Sequence, residues 1–280
     1  MPKGTLPEAS LQFWRAQLPE QLAKQLIGVS INKSGHHTVT RLQTSGGRVW
    51  FGKVASSKQA SHECDLLCAL NADPQTADLV PNILYFELDK GLMVSSECRG
   101  QHPTKACLLN RLSQFVASLV KIHGFHGNPA IELGTRVEFH KLRCAVPPDR
   151  HSARFERELV QAKRNVDRHS PLVGRLHGDL NPYNVLVDES KWHFLDWEYS
   201  RVGDVRWDLA ALATEFDFSQ FEYLELLRLY CKQTGEDYQR FAEIADDWIL
   251  VYIGVCLGWC VDNNQPKDKY WNYYERYFLN

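Results

Sequence analysis

Two signatures common in nucleotide-handling proteins are missing from this 280-residue chain. It has no G-x-x-x-x-G-K-[ST], which excludes a P-loop enzyme, and no G-x-G-x-x-G, which removes the dinucleotide fingerprint. Its eight cysteines include no C-x-x-C. Cys64/Cys68 and Cys256/Cys260 each sit four apart on predicted helices, but neither pair has a further Cys or His at ligand spacing. Buried, reduced thiols are therefore expected rather than zinc ligands, and unpaired thiols point to a reducing cytoplasm. Long apolar runs are lacking too. The longest, Trp248–Val261, has fourteen residues, short of the about twenty that a bilayer crossing needs. The opening MPKGTLPEASLQFW carries no secretory apolar segment. There is no surplus of basic charge, the formal net charge being -2. Neither a nucleic acid nor a membrane is an expected partner.

What the chain does have is concentrated between Leu176 and Ser200, LHGDLNPYNVLVDESKWHFLDWEYS. His177-Gly178-Asp179 is followed by Asn184, five residues after the aspartate, and Asp196 ends the next apolar run. Val185–Val187 and Trp192–Leu195 read as short strands with the polar Asp188–Lys191 between them, a β-hairpin signature. A hairpin loop of about three or four residues brings Asn184 and Asp196 within one residue of facing each other, and directly opposed side chains lie about 5 Å apart. An amide oxygen and a carboxylate at that spacing can share Mg²⁺, which takes hard oxygen ligands. Asp179, in the loop ahead of the hairpin, is positioned to reach a substrate hydroxyl.

Asp, then Asn five residues on, then Asp beyond a hairpin is also the order of the kinase catalytic loop and its metal aspartate. With His-Gly-Asp as the tripeptide and Trp197-Glu198-Tyr199 after the second aspartate, the block resembles the aminoglycoside phosphotransferase and choline kinase superfamily. The DWEYS ending is most similar to choline, ethanolamine and thiamine kinases. The resemblance implies an α+β, bilobal protein-kinase-like fold. A small N-terminal nucleotide-binding lobe, residues 1–97, would carry an antiparallel sheet and a helix. A larger, mainly helical lobe, residues 98–280, would carry catalysis and substrate binding. It further implies ATP as phosphoryl donor, Asp179 as catalytic base and Asn184 and Asp196 as Mg²⁺ ligands. His177 would brace the loop. Asp208, ahead of Leu209-Ala210 at a helix start, would hold that loop by accepting its backbone N–H bonds.

The same resemblance orders the N-terminal region. Gly28–Ile31, Thr38–Leu42 and Arg48–Val54 read as strands, after one or two short helices over residues 5–27 broken near Pro19. Ser34 and Gly35 fall in the polar turn that would cover the nucleotide phosphates, where small residues let backbone N–H groups approach an anion. Lys53, in the strand VWFGKV, would hold the α- and β-phosphates. A helical glutamate would pair with it, Glu63 being the candidate and Asp65 the alternative. Leu79–Leu84 and Leu92–Ser95 read as the last strands. Ser96 and Glu97 follow at the hinge position, where adenine would bind through backbone N–H and C=O groups.

Helices are predicted over Ala106–His123, His151–His169, Leu209–Phe216, Phe221–Thr234, Tyr238–Trp259 and Lys267–Phe278, with a loop over 124–150. His123, ending the first of these, reads as a capping or packing residue. The C-terminal quarter combines carboxylates with aromatic residues, among them Trp248, Tyr252, Trp259, Asp262, Tyr270 and Trp271. Such a mixture suits a cationic acceptor, since a cation over Trp or Tyr gains about 0.5–2 kcal/mol, and it equally suits an ordinary helical core. Trp248, Trp259, Asp262 and Trp271 are the candidate acceptor residues. Glu198 would either meet the acceptor's cation or pair with Arg201 or Arg206. The expected reaction is γ-phosphoryl transfer from ATP to a hydroxyl of a small cationic metabolite. An amino-sugar or aminoglycoside acceptor is the alternative within the class. A non-catalytic ATP-binding module is the alternative outside it, and the presence of Asp179, Asn184 and Asp196 together counts against that. A protein kinase is disfavoured because twelve residues from Asp196 to Asp208 leave no room for an activation loop.

Overall fold

The computed structural model describes residues 10–32, 39–55, 57–126, 138–189 and 191–279. Ser34 and Gly35 lie outside the described residues. The chain divides into two units: one comprises Met1–Gln101 with Leu186–Glu198, and the other takes in His102–His126 and the stretches up to Val185 and from Tyr199 onward.

The first unit opens with two short helices. Ser10 caps α1 (Leu11–Gln17) through its hydroxyl, and Pro19 ends that helix and starts α2 (Glu20–Ala23), proline being tolerated where the N–H needs no partner. β-branched and aromatic residues then build β1 (Leu26–Asn32), β2 (Val39–Thr44) and β3 (Val49–Val54). After α3 (Ser57–Ala72) come β4 (Ile83–Glu87) and β5 (Leu92–Ser96). All pairings are antiparallel, in the order β1-β2-β3-β5-β4. Residues 79–82, expected to be strand, instead pass through a 3₁₀ turn (Ala77–Leu79) and Pro81 before the ladder begins. Proline has no N–H for a ladder, which delays the strand. Trp14 is fully buried against the sheet beside Leu42, Trp50 and Val94. Its indole lies over Gly52, where a Cβ would come within 2.2 Å of the ring. This close approach needs glycine one residue before Lys53 and fixes that stretch of β3.

The second unit is mainly helical. Thr104 caps α4 (Lys105–Asn110), and α5 (Leu112–His123) follows after a break. The single helix expected over 106–123 is interrupted because Arg111 closes a tight turn onto the Leu108 carbonyl. The amphipathic α6 (Ser152–Arg168) buries Phe155, Leu159 and Val166. β6 (Val173–Leu176) comes next. β7 (Val185–Val187) begins at the end of this unit and forms, with β8 (Trp192–Phe194), the two-stranded ribbon, most of which belongs to the first unit. β6 pairs antiparallel with β9 (Arg201–Asp204), a ladder not anticipated from such short segments. The chain ends in α7 (Arg206–Glu215), α8 (Gln220–Thr234), α9 (Tyr238–Ala242), α10 (Ala245–Asp262) and α11 (Asp268–Tyr274). A capping box at Ser219 and Glu222 starts α8, and Gly235 ends it in the left-handed conformation. The long apolar helix α10 packs against α6 and α7, with most of its surface buried. Its apolar character all round is that of a core helix.

Candidate active site

In the first unit, β3 carries Lys53 into the interior, where it is 6% exposed. Its ammonium lies 2.9 Å from Glu63 Oε2, 2.7 Å from Asp196 Oδ1 and 3.4 Å from Glu198 Oε2. Burial alone would push this ammonium toward deprotonation. The charges of Glu63, Asp196 and Glu198 overcome that and raise its pKa above the ordinary lysine value. The other oxygen of Glu63 accepts the backbone N–H of Trp197 at 3.1 Å. One helical carboxylate thus grips both the lysine and the turn bearing Asp196. Asp65, the alternative partner, is exposed. Asp196 adopts a φ of +62°, a left-handed conformation that aspartate tolerates better than most residues. Glu198 pairs with Lys53, and Arg206 pairs with Asp204 at 2.8 Å. That lysine lies 145 positions from Glu198 in sequence.

Three acids surround one base, and only Asp196, its side chain 39% exposed, opens to solvent. A partly exposed carboxylate backed by further negative charge is a hard oxygen donor suited to a divalent cation.

In the second unit, the loop after β6 is held from α7. The buried Asp208 accepts the His177 N–H at 2.7 Å and the Gly178 N–H at 3.0 Å. His123 Nε2 lies 3.2 Å from the same carboxylate, and its Nδ1 meets the Tyr230 hydroxyl at 2.8 Å. His123 therefore sits in the network behind the loop, more specific than the packing role its sequence position suggests. His177 Nδ1 accepts the Asp179 N–H at 3.3 Å. Gly178 has φ +88°, and a Cβ there would lie 2.3 Å from the Tyr199 carbonyl oxygen, so the turn presenting Asp179 needs glycine. The Trp207 indole N–H donates to the Gly178 carbonyl at 3.2 Å.

Asp179 Oδ2 accepts from the side-chain amides of Asn181 at 3.1 Å and Asn184 at 2.8 Å. The Asn184 amide nitrogen also reaches the Asp179 carbonyl at 2.9 Å. Both Asn184 contacts to Asp179 use its amide nitrogen. Asn181 caps the 3₁₀ turn Pro182–Asn184 by accepting the Tyr183 N–H at 2.9 Å. Asn181 was not among the expected site residues, although Asn-Pro is a recognisable turn opener.

Other expectations fare differently. The Ser96 N–H donates to the Asn82 carbonyl at 2.8 Å, and the Glu97 N–H to the Val49 carbonyl at 3.2 Å. Both N–H groups are thus engaged within the protein. Trp248 and Trp271 are core residues, 1% and 5% exposed, with Trp271 packed edge-on against Phe155. Trp259 is surface-exposed, and the exposed Asp262 at the end of α10 lies 3.8 Å from Arg143. These four residues do not form one pocket wall. Tyr252 and Tyr270 instead both donate to Glu215 Oε1 at 3.0 Å, and Lys269 pairs with Glu215 Oε2. Neither Glu215 nor Lys269 stood out in the sequence. All eight cysteines are free thiols, and burial pushes the Cys64 thiol up to about 12.

A family model described as the phosphotransferase enzyme family matches residues 31–244. Protein LicA of Haemophilus influenzae is 36% identical over 76 residues, a match covering 27% of this chain and 28% of that protein. The chain thus spans only about a quarter of the length of this curated relative. Among solved structures, choline kinase LicA from Streptococcus pneumoniae superposes with a TM-score of 0.70 at 17% identity, covering 95% of this chain and 96% of that one. Macrolide 2'-phosphotransferase type I superposes with a TM-score of 0.67 at 16% identity, covering 98% and 97%. The N-terminal antiparallel sheet and larger helical region match the protein-kinase-like fold of these neighbours. Because the family model spans well over half of the chain, the protein belongs to the phosphotransferase enzyme family.

Proposed function

We propose that this protein transfers the γ-phosphoryl group of ATP to the hydroxyl of a small cationic alcohol of the choline, ethanolamine or thiamine type. The observation that carries the proposal is the Lys53 ammonium, buried and gripped by Glu63 and Asp196. A buried, permanently charged lysine fixed by a helical glutamate is what neutralising nucleotide phosphates requires. Phosphoryl transfer asks for in-line placement and charge neutralisation more than covalent help. In this reading Asp179 orients the acceptor hydroxyl and takes its proton. Its carboxylate is aimed by Asn181 and Asn184, while Asp208 and His123 keep the loop rigid behind it. Asn184 and Asp196 are the residues that would hold Mg²⁺. When bound, the ion would offset the charge of the nucleotide phosphates. The choline, ethanolamine or thiamine class is supported by the DWEYS block and by likeness to a choline kinase. The nearly as good superposition on a macrolide phosphotransferase means the fold by itself does not select the acceptor.

The test is ADP release with Mg·ATP against choline, ethanolamine, thiamine, an aminoglycoside and a generic protein acceptor. Acceptor-dependent release is expected with at least one of the first three and should vanish on chelation of the metal. Release only with the protein acceptor, or none with any acceptor, overturns the proposal.

A further inference from the structure

We propose that Glu138, His140 and Asp167 form a binding site for a zinc-class divalent cation. The site shares no residue with the phosphotransferase machinery and does not depend on the reaction proposed above. It joins two elements of the second unit. Glu138 precedes the 3₁₀ turn Phe139–Lys141, His140 lies within it, and Asp167 is the next-to-last residue of α6. One ligand atom from each of the three lies within 4.8 Å of the other two. His140 Nε2 is 3.2 Å from Asp167 Oδ1. Two donors sharing one ion at zinc bond lengths of about 2.0–2.2 Å stand about 3.0–3.5 Å apart, so this imidazole and this carboxylate already have a chelating separation. The ring is held in place, since the His140 side chain is 11% exposed and meets the buried Trp248 ring edge-on at 6.3 Å. Its contact with a carboxylate needs a proton on Nε2. The ion takes that proton's place, the proton passes to solvent, and the imidazole keeps its other one on Nδ1.

The charges around the site call for a cation. Asp167 stands in the last turn of α6, where the negative end of the helix opposes a carboxylate. Glu138 adds a second negative charge. Lys141 answers both, its ammonium 3.0 Å from Glu138 Oε2 and 3.6 Å from Asp167 Oδ1. It brings one positive charge for two carboxylates, on an exposed side chain that can swing away. A dication held by two carboxylates and a neutral imidazole makes an uncharged set. An imidazole among the donors selects zinc and its first-row neighbours, whereas Mg²⁺ and Ca²⁺ take oxygen. Three protein ligands leave the fourth tetrahedral position to water. Bound there, the ion ties the 3₁₀ turn to the end of α6, with 27 positions between His140 and Asp167.

The test uses the full chain, stripped of metal by chelation and returned to excess Mg²⁺. Zn²⁺ is titrated by calorimetry, and Co²⁺ by its visible absorption, into wild type, His140→Ala and Lys141→Met. The wild type should bind one equivalent of Zn²⁺ and gain melting temperature from it. His140→Ala should weaken that Kd at least tenfold and lose the melting shift. Lys141→Met, relieved of a competing like charge, should tighten it about two- to fivefold. No Zn²⁺ binding, or equal binding by wild type and His140→Ala, overturns the inference. So does a wild-type Co²⁺ spectrum dominated by thiolate charge transfer, which would place the ion on a cysteine. Lys141 is exposed, so its variant decides the matter even if His140→Ala fails to fold: unchanged or weaker affinity there also overturns the inference. Because the readout is ion binding rather than ADP release, this inference and the phosphotransferase reading fail separately.

Discussion

Replacing Lys53 with methionine should expose how much of the first unit's stability depends on its charge arrangement. Methionine fills much of the lysine stem's volume, so the change is chiefly the loss of one positive charge. What remains is Glu63 and Glu198, with side chains 4% and 5% exposed, and Asp196 beside them. Asp196 is 39% exposed, so its contribution is screened by water and the cost falls on the two enclosed glutamates. Removing one partner of a buried ion pair costs about 3–5 kcal/mol. With a urea dependence of about 2–3 kcal/mol per M, the midpoint should fall by roughly 1–2 M at pH 7. Fluorescence can follow it, since Trp197 is fully buried in the turn that Glu63 holds. The loss should depend on pH in a definite sense. Burial already raises the Glu63 carboxyl above its ordinary value, more than Lys53 lowers it, and without the lysine it rises further. A carboxyl whose folded pKa exceeds its unfolded one binds protons preferentially in the folded state. The deficit should therefore shrink as pH falls from 7 toward the unfolded value of about 4.3. In the wild type the raised Lys53 ammonium contributes fully below its unfolded pKa of about 10.4, and that contribution is lost only as pH climbs above it. A Lys53→Met midpoint equal to wild type, or a deficit as large at pH 5 as at pH 7, would refute the claim that uncompensated buried carboxylates cause the loss.

Three further outcomes follow from the second unit. Asp179→Asn should lower kcat by about 10²–10⁴, the range of a positioned general base, while leaving the KM for ATP nearly unchanged; equal turnover would remove Asp179 from the chemistry. Gly178→Ala places a methyl 2.3 Å from the Tyr199 carbonyl at φ +88°, a strain of about 1–3 kcal/mol or more. Circular dichroism should remain native while activity collapses, and an alanine variant with wild-type activity would show that the turn tolerates a side chain. Asp208→Ala leaves the His177 and Gly178 amides without their acceptor, at about 1–3 kcal/mol each. Hydrogen exchange at those two amides should accelerate relative to the rest of α7 and β6, and unchanged protection would contradict the bracing role.

The contrast between what could and could not be read in advance follows chain separation. The hairpin around Asn184 and Asp196 was legible because its strands, turn and polar ends are contiguous. Asp208 was legible through the resemblance, which implies an aspartate ahead of Leu209-Ala210 that holds the loop. The contact of Glu198 with Lys53 was not legible, because 145 positions separate the two residues in sequence. That the Ser96 and Glu97 N–H groups bond to Asn82 and Val49 could not be read in advance, because backbone groups carry no side-chain signature.

The aromatic tail presents the same difficulty in another form. On a helix as uniformly apolar as α10 no periodicity separates the face that packs from the face that might meet a ligand, so Trp248 and Tyr252 looked equivalent. They are separated by what their polar atoms do. The Tyr252 hydroxyl donates to a buried carboxylate, whereas the Trp248 indole nitrogen is buried without a partner among the described residues. An acid as enclosed as Glu215 could persist in such a tail only with donors and a cation to answer it, and Tyr252, Tyr270 and Lys269 lie 37 to 55 positions further on. No local pattern could have assembled that group. The tail's polar aromatic residues therefore answer Glu215, at the end of a helix whose beginning holds the loop bearing Asp179.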